Sequence, residues 1–597
     1  MLQKSQFDLL NCLRNTNGVP PTQRELAQKT DMSLGKTNGV LAELAEAGLV
    51  DDALHVTEAG MCALEPYRVK NAVIMAAGMS SRFAPLSYEK PKALLKVKGE
   101  LLIEREIRQL QEAGIHDITL VVGYLKEKMF YLADKFGVKI LVNEDYYRYN
   151  NPSTLMLVVD QLDNTYICSS DNYFTENPFE QYVYRAYYSA VYAPGKTDEY
   201  CLTVDKRDRI TDVSIGGCAA WYMLGHVYFD RSFSRKFAQI LKDAYDQPVT
   251  REHLWEDLYI RHIRELDMYI RRYDSSVIKE FDSLDELRDF DERYVSNTDS
   301  EIFKNICAVL CCTEKDIRDI KPIKTGLTNL SFLFSCLGKK YVYRHPGVGT
   351  ETYINRASEA CSMEVARELG LDDTFIYMDP QKGWKISRYI DQARTLDYHD
   401  KAQVAQALNM LRTLHHSKKT TPYAFDVWKE IAGFETALKK VHRDDFEDMA
   451  EIRENMARLH RFLDADQAAP CLCHCDSYAP NYLLDQNGKM YLIDWEYSGM
   501  ADPGSDLGTF IACADYTEAQ AMDVLHQYLQ TDTPDPKVLR HYIGYVAVSS
   551  FYWFLWALYQ ESVGKSVGNY LYIWYRYTKS YSRLALAMYE ETKEDHT

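Results

Sequence analysis

Two short strings near the C-terminal end carry side chains that could do chemistry. HCDSYAPNYLLD, residues 474–485, places Asp476 five residues before Asn481, and MYLIDWEY, residues 490–497, sets Asp494 at the end of an apolar run. Phosphoryl transfer to an alcohol needs a carboxylate at the acceptor hydroxyl and a divalent cation held on the nucleotide phosphates. Asp476 suits the first task, and Asn481 with Asp494 suits the second. A third string, AAGMSSRFAPLSYEKPKALLKVKG over residues 76–99, has a different character. Small Ala76, Ala77 and Gly78 let a nucleotide come close to the backbone, Ser80, Ser81 and Arg82 can contact phosphates, and Lys92 adds a second cation. Cys471, Cys473, His474 and Cys475 raise the question of zinc. On an extended segment their spacing lacks the paired loops of a zinc site, and they read as packing residues.

These groups need elements to hold them, and the hydrophobic pattern divides the 597 residues into three regions. Residues 1–66 read as three short helices and a hairpin. Phe7, Leu9, Leu10 and Leu13 have helical spacing, Thr22 with Glu25 makes a capping box, and a third helix runs from Ser33 to Gly48 before the strand, turn and strand of LVDDALHVTEAG. From residue 69 to about 290, the buried strands KNAVIMAAG, ITLVVGY, VKILVNE and TYICSSDNYF alternate with helices such as LIEREIRQLQEAG. That alternation predicts a mostly parallel sheet with helices on its faces. The polar stretch 288–300 reads as a linker. Residues 300–597 form the third region, strand-rich over 321–390 and helical thereafter.

The order of the first region resembles a winged helix, in which Lys36, Thr37 and Asn38 would start the base-facing helix. Residues 1–70 hold 7 basic and 9 acidic side chains, however, so the charge balance argues against a DNA-reading role. In the second region, the glycine turn with its arginine and the later Pro-Lys resembles the signature of nucleotidyltransferases that activate sugars and alcohols with NTPs. The resemblance implies a Rossmann-like domain over 69–290 and a magnesium ion held by Asp171 and Asp282. Asp282 also falls where an N-cap of the helix that follows would be, which is the plainer alternative for it. The two C-terminal strings resemble the catalytic and metal loops of choline kinases and related aminoglycoside-type phosphotransferases, which implies a protein-kinase-like fold. Upstream, IKTGLTNLSFLF resembles that family's phosphate-covering hairpin, with Thr328, Asn329 and Ser331 near the nucleotide. Arg344 falls where protein kinases carry lysine, with Glu359 as its ion-pair partner and Glu364 as the competing choice. A surface salt bridge is the plainer alternative for that pair.

The aromatic residues bear on the substrate. A quaternary ammonium donates no hydrogen bond and is held by ring faces, often with an acid nearby. Asn150, Asn151, Ser153, Tyr173, Trp221, Tyr222, Trp255 and Glu256 offer such a set in the second region. Trp495, Glu496, Tyr497, Tyr552, Trp553 and Trp556 offer another in the third. The chain thus resembles a fused CTP:phosphocholine cytidylyltransferase and choline kinase of bacteria, a multidomain α/β and α+β enzyme using ATP, CTP, choline, phosphocholine and Mg2+. Ethanolamine or 2-aminoethylphosphonate as acceptor, a sugar-1-phosphate nucleotidyltransferase joined to an unrelated kinase, and a DNA-binding regulator with ligand-sensing domains are the rival readings.

Composition agrees. Asp and Glu at 87 against Lys and Arg at 69 leave −18, which excludes a chain-wide nucleic-acid surface. Tyr at 45 outnumbers Phe at 22, so many rings must be partly solvated or line sites. With 14 cysteines and no secretory signal, a reducing, cytoplasmic setting is expected. The uncharged run 542–559 is long enough to span a bilayer, but its tyrosines, serines and missing basic flanks predict a buried helix.

Overall fold

The structure is a computed structural model that describes residues 1–15, 21–323, 329–347, 354–441 and 447–594. The chain forms two compact units, one of Met1–Cys307 with Thr313–Lys315, the other of Ala308–Cys312 with Asp316–Thr597.

The first unit opens with helices Lys4–Arg14, Gln23–Lys29 and Leu34–Glu46. Thr22 caps the second of these in a reciprocal box with Glu25, and Ser33 caps the third. The expected hairpin is reduced to one short pairing, closed by the Asp51 amide on the His55 carbonyl and the Thr57 amide on the Leu49 carbonyl. Val50 and Val56 form a single antiparallel bridge, and Thr57 then caps a fourth helix, Glu58–Leu64, by accepting from the Gly60 amide. A threonine oxygen poised over free helical amides outweighs a short run of β-formers. Thr37 is buried and donates to the Ser33 carbonyl, so of the three residues expected to face bases only Lys36 and Asn38 are exposed. The front helices pack on the sheet domain through Phe7, Tyr67 and Tyr184, whose ring centroids lie 5.0–5.5 Å apart, and through Arg14 over Tyr182.

Behind them lies a seven-stranded sheet. Asn71–Ala76 is central, pairing in parallel with Ile118–Val122 on one side and Thr165–Ser169 on the other, while Lys139–Val142 forms one edge. Beyond Thr165–Ser169 the sheet becomes mixed. The long strands Tyr187–Val204 and Ile210–Phe229 pair antiparallel, and Tyr269–Arg272 closes the other edge. Helix Leu102–Glu112 lays Ile103, Ile107 and Leu110 on one face, a helical stripe meeting the period-2 faces of the strands. TYICSSDNYF is two strands, Thr165–Ser169 and Asn172–Phe174, separated by a turn. The stretch 288–300 is no linker: Leu284–Phe290 and Arg293–Ser296 are helices, Tyr294 is buried, and Asp291 accepts from the Lys98 amide. Asp291 pairs with Arg293 as well, so the charges that suggested solvent are satisfied within the unit.

The second unit starts with an antiparallel five-stranded sheet in the order Ile317–Ile323, Asn329–Cys336, Lys339–Pro346, Lys385–Arg388, Phe375–Met378. Asn355 caps the helix Arg356–Glu368 that follows the third strand. Among the described residues the remainder is helical apart from two small sheets. One pairs Cys471–Cys473 with Gly499–Ala501, and the other has Tyr482–Leu484 between Arg394–Thr395 and Met490–Leu492. The uncharged run lies in helix Pro536–Ser562 and is buried almost throughout. It lies so close to helix Gly504–Ala512 that a Cβ on Gly508 would collide with the Tyr545 carbonyl. Among the described residues no helix is long and apolar enough to cross a membrane.

Candidate active sites

In the first unit the candidate groups gather beyond the carboxyl ends of the central parallel strands. Ala76 and Ala77 are buried at the end of Asn71–Ala76, and a Cβ on Gly78 would meet nothing within 4 Å, which leaves that side of the turn open. Ser80 turns back through the left-handed region at φ 49° and opens the short helix Ser81–Phe83. Gly123 supports the same turn from the neighbouring strand: its Cβ would lie 2.7 Å from the Ala77 carbonyl. Lys92 is almost fully buried, 2.9 Å from Asp171, and Arg82, largely exposed, stands 2.9 Å from Asp282. Asp171 sits in the turn between its two strands. The cap of helix Leu284–Phe290 is Ser283, which leaves the Asp282 carboxylate for Arg82.

A further acid joins them. Glu280 pairs with Asn172 across the ribbon beside Asp171, and burial, then the Asp171 charge, push its carboxyl up to about 8. Asp282 and Glu199 add to that push, and burial, then the Asp282 charge, raise Glu199 in turn. Carboxylates converging until one holds its proton are the donor set a hard divalent cation relieves, so Asp171 and Asp282 are residues that could hold one.

In the second unit a cavity of about 750 Å³ runs between the sheet and the helical part. Asn329, Ser331, Arg344, Lys385 and Glu496 line it together with Tyr478, Tyr497, Trp553, Trp556 and Trp574, and Asp476, Asn481 and Asp494 also face it. Asn481 donates its amide to the carboxylate of Asp476 at 2.9 Å and to its carbonyl at 2.8 Å, so its own oxygen is the atom able to face a cation. Cys475 and Asp494 both adopt positive φ, 63° and 64°, non-glycine strain of the kind that gathers at functional loops. Burial, then the Asp494 charge, raise the Asp476 carboxyl well above its ordinary range, which suits a proton acceptor.

The Arg344–Glu359 pair is buried. Arg344 holds Glu359 bidentately at 2.5 and 2.7 Å, Arg356 reaches the same carboxylate at 3.0 Å, and Lys385 stands at 3.5 Å. Burial opposes ionisation of Glu359, yet Arg344, Lys385 and Arg356 overrule it and hold the carboxyl at about 2. The competing Glu364 is exposed and pairs with Arg367 instead.

A model of the MobA-like NTP transferase domain matches residues 72–258, and one of the phosphotransferase enzyme family matches residues 319–542. The choline-phosphate cytidylyltransferase of Streptococcus pneumoniae is 34% identical over 221 residues, 37% of this chain and 96% of the relative. The chain belongs to the cytidylyltransferase family. The 2-aminoethylphosphonate cytidylyltransferase of Lancefieldella rimae is 36% identical over 229 residues, covering 38% of this chain and 93% of that protein. The choline kinase LicA structure from Streptococcus pneumoniae is similar over 48% of the chain and 100% of its own, at 27% identity and a TM-score of 0.41.

Within this cytidylyltransferase and its attached phosphotransferase unit, several expected cage residues lie elsewhere. Trp255 is fully buried, stacked on Tyr188 and edge-on to Phe229 and Phe237. Its amide donates to Asn151 at 2.7 Å, Asn151 donates to Glu256 at 3.4 Å, and the Tyr188 hydroxyl donates to Glu256 at 3.0 Å. Asn150 caps the helix Asn151–Met156 by accepting from the Asn151 amide. Asn151, Trp255 and Glu256 thus fasten the helices Asn151–Met156 and Trp255–Arg261 together, with burial carrying the Glu256 carboxyl up to about 7. Tyr173 and Trp221 already carry cations on their rings, Arg105 at 4.7 Å and Arg272 at 5.5 Å. Of the rings expected there, Tyr222 is the one whose hydroxyl feels burial and then the charges of Glu199, Glu280 and Asp282.

In the second unit Trp495 belongs to the core, donating to the Leu492 carbonyl at 2.9 Å and lying edge-on to His474. Glu496 accepts from Arg356 and Asn329 at 3.2 and 3.1 Å, an ion-network acid rather than a cage acid. Tyr552 turns to Phe425 and Phe434. Tyr497, Trp553 and Trp556 do face the cavity, and Trp574, missed in the sequence, completes the wall at 5.9 and 6.3 Å from the other two tryptophans. Thr328 lies outside the described residues.

Asp506 was also missed. Fully buried, it accepts from the His474 and Cys475 amides at 2.9 and 2.6 Å and from the His415 ring at 2.9 Å, which fixes the segment leading into Asp476. His415, Cys471 and Cys473 bring ligand-type atoms within 4.8 Å of one another, but both His415 nitrogens are engaged, by Asp506 and by the Tyr528 hydroxyl. The second acid in DPGSDLG, at the start of an apolar helix, was the available signal for Asp506.

Proposed function

We propose that the chain is a bifunctional enzyme: its second unit phosphorylates choline with ATP, and its first couples phosphocholine to CTP, giving CDP-choline and pyrophosphate. The observation that carries this is the second unit's cavity, where Asp476, Asn481 and Asp494 share one space with a wall of Tyr497, Trp553, Trp556 and Trp574. Ring faces hold a cation that offers no hydrogen bond, whereas a polyamine sugar calls for acids. In this reading Asp476 orients the choline hydroxyl and takes its proton, and the buried Arg344–Glu359 pair braces the sheet beside the nucleotide. In the first unit Arg82 and Lys92 neutralise CTP phosphates, to which they can turn from Asp282 and Asp171. Little base help is needed there, because the attacking phosphate oxygen is already ionised.

Magnesium is the divalent ion we assign to both sites, with Asp171 and Asp282 holding it in the first and Asn481 and Asp494 in the second. Bound there it would offset the charge of the phosphates. The two reactions suit one chain, because the product of the kinase step is the acceptor of the cytidylyl step. The similarity to a choline-phosphate cytidylyltransferase supports the acceptor. A second reading, 2-aminoethylphosphonate as the acceptor, is favoured by the comparable similarity to an enzyme named for it.

Mass-spectrometric product analysis with ATP, CTP, magnesium and choline tests the proposal. Asp171→Asn should accumulate phosphocholine, and Asp476→Asn should make nothing from choline yet convert added phosphocholine. Loss of both activities in both variants would refute two independent sites, and turnover of 2-aminoethylphosphonate in preference to phosphocholine would replace the acceptor.

A further inference from the structure

We propose that Lys385 is the protein cation presented to the triphosphate in the kinase cavity, and that Arg344 serves to hold Glu359. The inference rests on the reading that the second unit binds ATP.

Arg344 and Lys385 are direct cross-strand partners, and both line the cavity. Their commitments differ. Arg344 is buried, with its two terminal nitrogens at 2.5 and 2.7 Å from the two oxygens of Glu359. Turning that fork towards a phosphate would strip a fully buried carboxylate of its principal partner, and breaking a buried pair is strongly unfavourable. Lys385 stands 3.5 Å from Glu359 and 4.0 Å from Asp494, at or beyond the limit of a good hydrogen bond. If it swings away, Glu359 keeps Arg344 and Arg356.

The side-chain types suit the same division. A guanidinium is a rigid planar fork matched to a carboxylate, whereas an ammonium is a compact charge with three rotatable donors on a flexible stem. Lys385 also lies close to Asp494, the acid assigned to the metal, so its charge stands where phosphates and metal must meet. Arg344 has the position expected of the phosphate cation, but both its terminal nitrogens are held by Glu359 on the neighbouring helix, and only its buried Nε is left without a partner among the described residues.

Calorimetric titration of the full chain with ATP and with adenosine, both with magnesium, separates the roles. One charge-assisted contact is worth about ten- to hundredfold in affinity. Lys385→Met should weaken ATP by at least about tenfold and leave adenosine unchanged, with Lys385→Arg recovering part of the loss. Arg344→Met should weaken ATP and adenosine together. Lys385→Met binding ATP like the parent, or losing ATP and adenosine equally, would overturn the assignment, as would Arg344→Met losing ATP alone. A parent chain that binds ATP but does not phosphorylate choline would refute the substrate reading and leave this comparison standing.

Discussion

Glu359→Gln is the substitution whose cost the structure specifies best. The carboxylate is fully buried and meets Arg344 at 2.5 and 2.7 Å, Arg356 at 3.0 Å and Lys385 at 3.5 Å. Glutamine preserves the shape and removes the charge, leaving two buried guanidinium groups to share Glu496, at 3.7 and 3.2 Å, and Asp494. Uncompensated burial of charge after loss of one partner costs about 3–5 kcal/mol, against about 0–1 for an exposed pair. In a unit of this size that lowers the unfolding midpoint by about 6–20 °C, at about 2–4 °C per kcal/mol. Tryptophan fluorescence during heating is a suitable assay, because six of the eight tryptophans (Trp384, Trp428, Trp495, Trp553, Trp556 and Trp574) lie in the second unit. The sign of the pH dependence follows from the carboxyl being held at about 2. An acid with a depressed folded-state pKa contributes fully above its unfolded value and loses that contribution as pH falls through the folded one. The gap between parent and variant should therefore be constant from pH 7 to about pH 5 and close below it. Replacing both members, Arg344→Met with Glu359→Met, should cost less than the sum of the single replacements, since a buried pair exchanged for apolar groups is often neutral. A single-variant loss under about 1 kcal/mol, or strict additivity in the double variant, would refute the reasoning.

Asp506→Asn should lower the kcat of choline phosphorylation by about a hundredfold, because small misplacements of a catalytic group cost that much. Conversion of added phosphocholine should be unaffected, and assaying both reactions on one preparation checks this. Trp574→Leu removes one ring of the proposed cation wall and should raise the KM for choline by about tenfold, within the range of a desolvated cation–π contact, with kcat changed little. Trp495→Phe should leave that KM alone and lower the thermal midpoint instead, since the Trp495 ring is buried away from the cavity.

The grouping of the candidate carboxylates was legible because they sit in short loops after strands, where local spacing survives folding: Asp476, Asn481 and Asp494 face one cavity, and Lys92 reaches Asp171 across 79 positions of chain. The rings were harder to read. Trp495 and Trp553 look alike in sequence, yet one is core and the other wall, because the side of a strand end or helix that faces a cavity is decided by what packs behind it. Trp574 is 18 residues beyond Trp556, and only the pairing of two long helices brings their rings within 6.3 Å. Glu280 and Asp506 were missed for a related reason. Each is an ordinary acid in its own segment, and its surroundings come from elsewhere: the Asp171 turn for Glu280, and the Cys471–Cys473 strand with helix Lys401–His415 for Asp506.

The two units solve one electrostatic problem in different ways. Each must receive a polyanionic nucleotide beside carboxylates that would repel it. The first pairs Lys92 with Asp171 and Arg82 with Asp282, so the cations that neutralise the acids are also those able to turn to phosphates. Its tension is stored in Glu280, pushed up to about 8 by burial and its neighbours. The second unit separates the tasks. Arg344 and Arg356 are locked on Glu359 and Glu496, and the loosely held Lys385 is the cation with least to lose by moving. Burial and the Asp494 charge push Glu496 up to about 7, and Arg344 counters them only in part. Nucleotide binding should thus shift the balance of charge in both units, through mobile pairs in the first and through one lysine in the second.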